Sequence, residues 1–516
     1  MTQVPASTPT RPARLAELTA GIIDAPAALE VSDVTLDSRA VRPGALFLAC
    51  RGRGRHGAEF AAEAVGRGAR AVLYEPSAGA AELVAAALEA RGVNTRQVFV
   101  AAVPELPHRA GIIADRFFGE PSQALTVVGI TGTNGKTTCA WLLAQALTRC
   151  HQPAAYMGTL GFGFPDALAA TEHTTADAVS VHQRLASLRA LGAEAVSMEV
   201  SSHALDQDRV GGVRFHTAVF TNLTRDHLDY HGTMASYAEA KSRLFLWPGL
   251  STRVINVDDE LGARLAAQPS AARLIMTTRA SAEPVAPPGA KVVRATRVEA
   301  AVSGLALEVQ SSWGAAQLDV PLIGDFNADN ALTVLAVLLA WDIPLADASS
   351  ALASCRAAPG RMEALGGRDG APLAIVDYAH TPDALAKALR AARRHCRGQL
   401  RVVFGCGGDR DPGKRPMMGR IAAELADESV VTDDNPRTEP PERIVQQILT
   451  GMPRGAAARV EHDRARAIRA TLERSGSEDV VLIAGKGHEE YQIYGSERRP
   501  FSDQRVAREA LAGMRS

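Results

Sequence analysis

The chain has 516 residues, of which 46% are hydrophobic, 22% charged and 5% aromatic. At roughly 150 residues per domain, this length predicts about three globular domains, each able to bury a core. The 56 basic and 57 acidic residues give a formal net charge of −1, which argues against a dedicated nucleic-acid-binding protein because such proteins carry a basic excess.

Cysteine usage and the N-terminal segment indicate the cellular compartment. The six cysteines form no C-x-x-C pair, so neither a zinc ribbon nor a disulfide framework is indicated. The segment MTQVPASTPTRPARL lacks the apolar region of a signal peptide, and no run of about 18 apolar residues occurs. We therefore expect a soluble, cytoplasmic protein that does not act at a membrane.

The first hundred residues predict a small α/β unit. Apolar runs at 31–36, 45–50 and 71–74 alternate with Ala-rich helical stretches such as 59–65. A break that carries glycine and proline follows at 117–123.

The middle of the chain predicts a parallel sheet. The continuous apolar run 125–130 is typical of a central parallel strand, and a glycine-rich turn and an amphipathic helix to about Cys150 follow it. Further strand candidates lie at 195–200, 217–221 and 254–257, and helical patterns separate the earlier ones. This order favours βαβ units.

A different pattern occupies residues 280–320. Its short β-like runs at 292–293, 305–309 and 318–322 predict an antiparallel edge of the same domain. A helix is predicted from about 328 to 341.

The last part of the chain begins at a Pro-Gly junction, residues 356–365. Beyond it, strand candidates alternate with helices, which predicts a doubly wound α/β domain. These candidates are 374–376, 401–404, 430–431 and 480–483. The chain is therefore predicted to be an α/β protein of three consecutive domains, with bounds 1–112, 113–356 and 357–516.

The strongest local signal is GITGTNGKTT, residues 129–138. A strand feeds this glycine turn, whose backbone N–H groups can wrap phosphate oxygens at the start of the next helix. Lys136 would reach the β- and γ-phosphates of ATP, and the Thr137 hydroxyl would be a ligand of Mg²⁺. The strict pattern G-x-x-x-x-G-K-(S/T) requires glycine where Ile130 stands, but the strand, the helix and the Lys-Thr-Thr triplet fit a nucleotide. The expected ATP-binding residues here are Gly132, Thr133, Asn134, Gly135, Lys136, Thr137 and Thr138.

Glu199 is a candidate metal ligand, because it ends a predicted strand beside this loop. An acid at the carboxyl end of such a strand is well placed to hold Mg²⁺, directly or through water. His227 and His231 have i, i+4 spacing, but zinc is not indicated without an H-E-x-x-H motif or a cysteine partner.

Lys241 stands out because lysine is scarce: only six of the 56 basic residues are lysine. Helical spacing in SYAEAKSRLFL puts it on one face with Tyr237, Leu244 and Phe245. An ammonium group on an apolar face is costly unless it snorkels, pairs or loses its charge. Desolvation lowers a lysine pKa, and the neutral amine can react with CO₂ to form a carbamate that binds Mg²⁺, which arginine cannot do.

The GTNGKTT loop resembles the variant phosphate loop of the Mur ligase family, which joins amino acids to a UDP-muramoyl carrier, and of the related folylpolyglutamate synthetases. The resemblance implies that Lys241 is carbamylated, as N6-carboxylysine, and that His227 binds the metal. It also implies that Lys136, Glu199, His227 and Lys241 are catalytic, with Mg²⁺ held by Thr137, Glu199, His227 and carbamylated Lys241.

Two N-terminal segments, VTLDSR (34–39) and GALFLACRGRGRHG (44–57), resemble the uridine-nucleotide domain of the branch that attaches the third peptide residue. HTTAD (173–177) and MEVSSHALDQDRV (198–210) resemble segments that contact the muramoyl-peptide. The family usually has proline after the Thr-Thr pair, where Ala176 stands here. By resemblance, the UDP-muramoyl-dipeptide ligands are Leu36, Ser38, Arg53, Gly54, Arg55, Thr174, Thr175, Ser201, Gln207 and Arg209.

GDFNADN (324–330) and PGRME (359–363) resemble further ATP-side elements of the family. The resemblance puts Asn327 and Asn330 near adenine, Arg361 near the phosphates and Asp377 near the ribose or metal. On composition alone, the asparagines fit ordinary caps and turns equally well.

Three polar turns each follow a strand candidate in the last domain: 404–416, 433–438 and 484–492. Their expected common location is the carboxyl edge of the sheet, where open α/β folds bind ligands. Guanidinium groups for carboxylates and an acid for an ammonium suit a zwitterionic diamino acid. The expected diaminopimelate ligands are Arg410, Asp434, Asn435, Pro436, Arg437, Gly485 and Glu489.

The DNPR sequence at 434–437 resembles the form that accompanies meso-diaminopimelate, while relatives that add lysine replace its arginine. Arg437 could pair with the second carboxylate of diaminopimelate, a group that lysine lacks. A guanidinium left unpaired by lysine would be penalised by several kcal/mol.

The resemblance spans nearly the full length, with the motifs in family order. It implies a UDP-binding N-terminal domain, a central ATP-binding P-loop domain and a Rossmann-like amino-acid-binding domain. It further implies a monomeric ligase that adds meso-diaminopimelate to UDP-N-acetylmuramoyl-L-alanyl-D-glutamate through an acyl phosphate, with ATP as co-substrate and no nucleic-acid partner. His380 and His488 are both candidate general bases.

Three alternatives stay open. A folylpolyglutamate synthetase would share the phosphate loop and the lysine, but would not need the LDSR segment or DNPR. A P-loop switch would turn over ATP slowly and without an acceptor. A lysine-adding ligase of the same branch is the nearest competitor.

Overall fold

The computed structural model describes residues 12–52, 54–90, 98–171, 173–282, 284–301 and 304–514. The chain divides into two compact units, here called the first unit (Met1–Met276 with Pro287–Ala290) and the second unit (Thr277–Ala286 with Lys291–Ser516). Across the described ranges, no helix is both long and apolar enough to cross a membrane.

A small parallel sheet flanked by helices begins the first unit. Its second strand, Ala45–Ala49, is buried at every residue, as expected inside a parallel sheet covered on both faces. The elements are β1 (Ala13–Arg14), α1 (Leu15–Leu18), β2 (Glu30–Val31), β3 (Asp33–Thr35), β4 (Ala45–Ala49), α2 (Ala61–Gly66), β5 (Ala71–Tyr74), α3 (Ala80–Glu89), β6 (Phe99–Ala102) and α4 (Leu106–Phe117).

The four strands β3-β4-β5-β6 form this sheet in that order, and all neighbours are parallel. Strands β1 and β2 form a separate antiparallel pair. The predicted small α/β unit is therefore confirmed.

The rest of the first unit is a larger sheet with helices between its strands. The elements are α5 (Pro121–Ala124), β7 (Thr126–Thr131), α6 (Lys136–Arg149), β8 (Ala154–Gly158), β9 (Gly161–Phe164), β10 (Ala167–Ala169), α7 (Ala178–Ala190), β11 (Ala195–Glu199), α8 (Ser202–Asp206), β12 (Phe215–Phe220), α9 (Leu228–His231), α10 (Met234–Ser242), β13 (Thr252–Asn256), α11 (Glu260–Ala267) and β14 (Arg273–Thr278).

The first eight strands of this sheet follow the order β10-β9-β8-β11-β7-β12-β13-β14. Strand β7 is parallel to both neighbours, β11 and β12, and its register places Ile130 opposite Glu199. Parallel neighbours end at the same edge of a sheet, so the phosphate loop after β7 and the acid that ends β11 lie at one edge. The predicted central parallel strand is confirmed.

The second unit contains an antiparallel meander, two helices and a second α/β sheet. The elements are β15 (Lys291–Ala301), β16 (Gly304–Ser311), β17 (Gly314–Val320), α12 (Phe326–Ala340), α13 (Leu345–Ala353), β18 (Glu363–Gly366), β19 (Leu373–Asp377), α14 (Pro382–Arg393), β20 (Leu400–Phe404), α15 (Lys414–Leu425), β21 (Glu428–Val431), α16 (Pro441–Leu449), β22 (Ala458–Val460), α17 (Arg464–Glu473), β23 (Val480–Ala484), β24 (Tyr491–Tyr494), β25 (Glu497–Pro500) and α18 (Asp503–Gly513).

The sheet of the second unit has the order β18-β19-β23-β20-β21-β22, and every neighbouring pair except β18–β19 is parallel. Apolar cores pack on the sheet, one around Leu400 and Leu482 and another around Val403 and Ile483. The three polar turns follow β20, β21 and β23, which are adjacent. Their predicted common location at the carboxyl edge is confirmed.

Candidate active site

The phosphate loop connects β7 to α6. Gly132 and Gly135 have φ angles of 150° and 87°, which favour glycine. A Cβ atom at Gly132 would also collide with the Thr221 hydroxyl. The Lys136 ammonium folds back over the loop and donates hydrogen bonds to the carbonyl oxygens of Gly132 and Thr133, at 2.8 and 2.9 Å.

The segment that follows β12 holds this loop in shape, which the sequence analysis did not predict. Asn222 accepts the Thr133 N–H on its main-chain oxygen at 2.7 Å and the Asn134 N–H on its side-chain oxygen at 3.0 Å. Thr221 donates its hydroxyl to the Asn134 carbonyl at 2.6 Å, and the Thr224 N–H donates to the Thr133 hydroxyl at 2.9 Å. The loop is therefore preorganised by protein groups.

Glu199 lies beside the loop, and its buried carboxylate accepts hydrogen bonds from three side chains and one backbone group. Tyr156 donates to Oε1, as does the Thr159 N–H at 2.9 Å, and Thr137 donates to Oε2 at 2.9 Å. The Thr159 hydroxyl also donates to Oε2, at 3.2 Å. These bonds compensate the burial of the carboxylate.

The Thr137–Glu199 pair fits a magnesium ion. Adjacent ligands of an octahedral Mg²⁺ lie about 2.9 Å apart when each is 2.0–2.1 Å from the ion. The Thr137 Oγ1 and Glu199 Oε2 atoms are 2.9 Å apart. Within the described part of the chain, no group of three or more His, Cys, Asp or Glu residues could hold a metal. A metal here would therefore complete its shell with other oxygens, and Mg²⁺ commonly takes water and phosphate oxygens.

Lys241, on α10, is buried to 1% exposure beneath the phosphate loop. Its Nζ donates to the Gly132 carbonyl at 2.7 Å and lies 4.5 Å from the centre of the Tyr237 ring. Burial, reinforced by the nearby Lys136 charge, lowers the pKa of Lys241 well below its usual range. This shift favours the neutral, nucleophilic form of the amine.

His227 precedes α9 and has a left-handed φ of 53°. Its ring centroid lies 6.1 Å from that of Tyr237 and 5.0 Å from that of His203. Because Tyr237 also contacts Lys241, the structure brings the two predicted metal ligands to the same aromatic ring. The His227 side chain is half-exposed, with Nε2 3.5 Å from a carboxylate oxygen of Asp226.

Several residues predicted to bind the muramoyl-peptide form one hydrogen-bonded group. The Thr175 hydroxyl accepts the Ser201 N–H at 3.2 Å, and the Thr175 carbonyl accepts from Arg209 at 3.2 Å. Arg209 also donates twice to the Gln207 side-chain oxygen, at 3.0 and 2.6 Å. The Thr174 hydroxyl lies 3.1 Å from that of Thr159, which contacts Glu199. The group is therefore linked through Thr159 to Glu199.

A cavity of about 1070 Å³ lies in the first unit next to the small parallel sheet. Its lining includes residues 32–40, and also Asp177, Val179, Ser180 and Gln183 near the start of α7. These four were not predicted from the sequence. The size is sufficient for a nucleotide-sized ligand.

Leu36 and Ser38, both predicted UDP ligands, line this cavity. The structure does not bring Gly54 and Arg55 to its wall. Arg55 instead forms an ion pair with Glu59 at 2.8 Å, because the two are i, i+4 neighbours. Arg53, the remaining predicted ligand of this group, lies outside the described residues.

Asn327 and Asn330 lie in the first turn of α12 and are buried. The Asn327 side chain donates to the Ile323 carbonyl at 2.8 Å, and Asn330 donates to the Asn327 side-chain oxygen at 2.7 Å. Part of their hydrogen-bonding capacity is therefore used within the protein, at the start of the helix. Their proposed contact with adenine remains a prediction.

Arg361 and Asp377 lie near each other in the second unit. Asp377 ends β19, accepts the Met362 N–H at 2.8 Å, and has its pKa raised by burial. The Arg361 guanidinium lies 5.0 Å from the centre of the Tyr378 ring, and its buried Nε has no hydrogen-bond partner among the described residues. His488 lies on the same ring, with centroids 5.3 Å apart, and its pKa is lowered to about 4, chiefly by burial and secondly by Arg361. His488 is therefore neutral at physiological pH.

The turns after β21 and β23 form a connected cluster. Asn435 donates to Glu489 Oε2 at 3.0 Å, and Lys486 donates to the same oxygen at 2.9 Å. Gly485 has a φ of 119°, and a Cβ atom there would lie 2.7 Å from an oxygen of Asp434. Glycine thus permits the close approach of the two turns. Lys486, which is fully buried, was not among the predicted site residues.

The predicted arginines flank the turn after β20. Arg437 donates to the Gly408 carbonyl at 2.8 Å, and its backbone adopts a φ of 55°. A Cβ atom at Gly407 would lie 2.9 Å from a guanidinium nitrogen of Arg437 and 3.7 Å from Cγ of Arg410. The Arg437 guanidinium and the aliphatic part of the Arg410 side chain therefore both lie close to Gly407. Pro436 lies between Asn435 and Arg437 in this turn.

An ion pair that the sequence analysis did not predict also joins these turns. Arg415 has no exposed surface and forms a bidentate pair with the Glu439 carboxylate, at 2.9 and 2.8 Å. It also donates to the Gly407 carbonyl at 3.1 Å. Its position in the sequence, within a charged and glycine-rich turn, gave no sign of burial.

Family profiles match most of the chain. The profile of the "Mur ligase family, catalytic domain" matches residues 30–116, that of the "Mur ligase middle domain" matches 130–338, and that of the "Mur ligase, glutamate ligase domain" matches 360–487.

Named relatives are similar over nearly the whole length. The chain is 49% identical over 487 residues to a protein of Chromobacterium violaceum, with 94% of each chain covered. It is 50% identical over 481 residues to a protein of Alkalilimnicola ehrlichii, with 93% of this chain and 95% of the relative covered. Both relatives are named UDP-N-acetylmuramoyl-L-alanyl-D-glutamate–2,6-diaminopimelate ligase.

A solved structure of a protein with that name superimposes with a TM-score of 0.71 at 33% identity, covering 98% of this chain and 100% of that one. A MurF structure from Acinetobacter baumannii superimposes with a TM-score of 0.62, covering 93% of this chain and 97% of that one; at 19% identity it shows the fold alone. Together with the profiles and the two relatives, these findings show that the chain belongs to the Mur ligase family.

Proposed function

We propose that this protein is an ATP-dependent, ADP-forming ligase that adds meso-2,6-diaminopimelate to UDP-N-acetylmuramoyl-L-alanyl-D-glutamate. The reaction would belong to cytoplasmic peptidoglycan precursor synthesis, and hence to cell wall formation, cell shape and division. The observation that carries the proposal is the hydrogen bond from the buried Lys241 amine to the carbonyl oxygen of Gly132 in the phosphate loop. An ordinary nucleotide-binding turn does not require a buried lysine at this place. The names of the relatives support the choice of acceptor and amino acid.

The first step is the transfer of the γ-phosphoryl group of ATP to a carboxylate of the D-glutamyl residue, which gives an acyl phosphate and ADP. Such transfers depend mainly on positioning and charge neutralisation. The preorganised loop residues 132–138 would bind the phosphates through their N–H groups. Lys136 would exchange its two carbonyl partners for phosphate oxygens.

Magnesium, when bound, would neutralise charge on the transferring phosphoryl group. Thr137 and Glu199 would hold it, together with His227 and the carbamate of Lys241. The donors to Glu199 from Tyr156 and Thr159 would fix the carboxylate. The group formed by Thr174, Thr175, Ser201, Gln207 and Arg209 would bind the muramoyl-peptide, and the cavity at Leu36 and Ser38 would bind the uridine diphosphate end.

The second step is attack of a diaminopimelate amine on the acyl phosphate, which forms a tetrahedral intermediate and then releases phosphate. Arg410 and Arg437 would bind carboxylates, and Asp434 and Glu489 would bind an ammonium group. Asn327, Asn330, Arg361 and Asp377 are proposed to complete ATP binding. His380 donates Nδ1–H to the Tyr378 carbonyl. His488 is neutral. Both histidines remain candidate general bases for the attacking amine.

The domain bounds proposed are 1–112, 113–356 and 357–516. The profile matches at 30–116, 130–338 and 360–487 support this division. We propose that the protein is a monomer.

The proposal is tested by phosphate release from ATP with purified protein, Mg²⁺ and the UDP-muramoyl-dipeptide, with meso-diaminopimelate or L-lysine added in parallel. We expect release and a tripeptide product with diaminopimelate only. Turnover with lysine instead would keep the mechanism and overturn the role of Arg437. If folded protein binds ATP but neither amino acid supports turnover, the proposal is wrong.

A further inference from the structure

We propose that Lys486 is a positioning residue for the incoming amino acid: it fixes Glu489 so that one carboxylate oxygen stays available to the amino acid's ammonium group. This inference rests on the proposed function and assigns a role to a residue outside the predicted ligand set. It is carried by burial and hydrogen bonding at the turns after β21 and β23.

Lys486 is a cation without solvent access. Its side chain is 0% exposed, whereas that of Glu489 is 18% exposed. Burying an ammonium group is costly unless it is paired and hydrogen-bonded. The Lys486 Nζ meets both conditions, because it donates to Glu489 Oε2 at 2.9 Å and to Asn435 Oδ1 at 3.1 Å.

The three side chains form a closed triangle. Asn435 donates its amide N–H to Glu489 Oε2 at 3.0 Å, while its Oδ1 also accepts the Ile493 N–H at 3.0 Å. The amide therefore has one orientation that satisfies all its partners. Lys486 and Asn435 both act on a single oxygen of Glu489, which fixes the carboxylate rotamer.

The fixed rotamer matters for the other carboxylate oxygen of Glu489, Oε1. Glu489 Oε2 accepts two hydrogen bonds, whereas Oε1 accepts none from the described residues. The open oxygen belongs to the partly exposed member of the triangle, on the turn that also approaches Asp434 through Gly485. An ammonium group of a diamino acid could bind there without displacing Lys486. Removal of Lys486 would leave a carboxylate held only by Asn435.

The test uses the full-length chain and four variants: Lys486→Met, Glu489→Gln, the double variant, and Lys387→Met as the matched control. Lys387 is a half-exposed lysine on α14 that pairs with Asp383. For each protein, kcat, the KM values for meso-diaminopimelate, ATP and the UDP-muramoyl-dipeptide, and the Tm are measured. A merely structural role would move all three KM values together.

We expect Lys486→Met to raise the KM for diaminopimelate roughly 10- to 100-fold, as for loss of a charged hydrogen bond. The other two KM values should stay within about twofold, and Lys387→Met should match the wild type. Because Lys486 acts through Glu489, the double variant should have the same KM for diaminopimelate as Glu489→Gln.

A wild-type KM in Lys486→Met, an equal rise in all three KM values, or multiplicative effects in the double variant would overturn the inference. If Lys486→Met does not fold, the comparison of the double variant with Glu489→Gln decides, because removing both charges avoids an unpaired buried ion. If the wild type itself shows no diaminopimelate-dependent turnover, the proposed function fails and this inference fails with it.

Discussion

The ammonium groups of Lys136 and Lys241 donate hydrogen bonds to the same atom, the carbonyl oxygen of Gly132, at 2.8 and 2.7 Å. Two like charges on one acceptor repel, and the repulsion is weakly screened where water is excluded. Lys241 is the more buried of the two, and its pKa falls well below the usual range for that reason first and because of Lys136 second. Conversion of its amine to a carbamate would replace the repulsion by an attraction.

Removal of the reactive amine should therefore strongly reduce kcat. We expect Lys241→Arg to lower kcat by roughly 100- to 1000-fold, because arginine keeps a positive charge but cannot form a carbamate. The rate of phosphate release measures this. In parallel, ¹³C NMR of the wild type in ¹³C-bicarbonate should show a carbamate resonance that the variant lacks.

The control for Lys241 is Lys291→Arg, at an exposed lysine of the second unit, which should leave both signals unchanged. Short carboxylates added to Lys241→Ala should restore part of the rate by occupying the carbamate position. A fully active Lys241→Arg would contradict the carbamate.

A second prediction concerns Gly158, at the end of β8. A Cβ atom there would lie 2.6 Å from the Tyr156 hydroxyl and would also collide with Glu199 Oε1. Gly158→Ala should displace the carboxylate, raise the Mg²⁺ concentration needed for half-maximal phosphate release, and destabilise the protein by about 1–3 kcal/mol. Gly513→Ala is the control, because a Cβ atom there would meet no other part of the described chain within 4 Å apart from its own helix. An unchanged Mg²⁺ dependence in Gly158→Ala would show that Glu199 is not a metal ligand.

The sequence predicted features in which neighbouring residues carry the signal. The phosphate loop is one continuous segment between a strand and a helix, so its geometry follows from local rules. The three polar turns could be placed at one edge because parallel strands end together. Lys241 was identified through motif resemblance and its apolar helix face, and the structure brings it across 109 positions to Gly132.

Features that depend on tertiary burial could not be predicted. Tyr156 and Thr159 are separated from Glu199 by about 40 positions and lie in or after a short Ala- and Gly-containing strand that was not predicted. Lys486 stands in a polar, glycine-rich turn, where a lysine is ordinarily exposed. Arg55 has the residue type of a phosphate ligand, but it forms an ion pair with Glu59 and does not line the cavity.

A third prediction concerns the choice between diaminopimelate and lysine. Arg437→Ala should lower kcat/KM for meso-diaminopimelate roughly 10- to 100-fold, because a charged hydrogen bond to the second carboxylate is lost. The value for L-lysine should not fall, since lysine lacks that carboxylate. Arg390→Ala, at an exposed arginine of α14, is the control. Equal losses with both amino acids would mean that Arg437 acts on the fold through Gly408 and not on selectivity.

The last prediction uses the ion pair between the buried Arg415 and the partly exposed Glu439, which joins the turns after β20 and β21. Hydrogen bonds from Arg415 first, and from the Asp409 backbone N–H second, lower the pKa of Glu439 from about 4.5 to about 2. Ionised Glu439 therefore stabilises the folded state fully above its ordinary pKa, and the contribution is lost as the pH falls toward the folded-state value. Glu439→Gln should have a lower Tm than the wild type at neutral pH, with a constant gap down to about pH 5 that narrows below about pH 4.5. Scanning calorimetry across this range measures the gap.

Glu424→Gln removes a carboxylate whose ion pair with Arg420 is more than half exposed, so it should show no gap at any pH. A Glu439→Gln gap that stays constant or widens on acidification would mean that the carboxylate charge does not stabilise these turns.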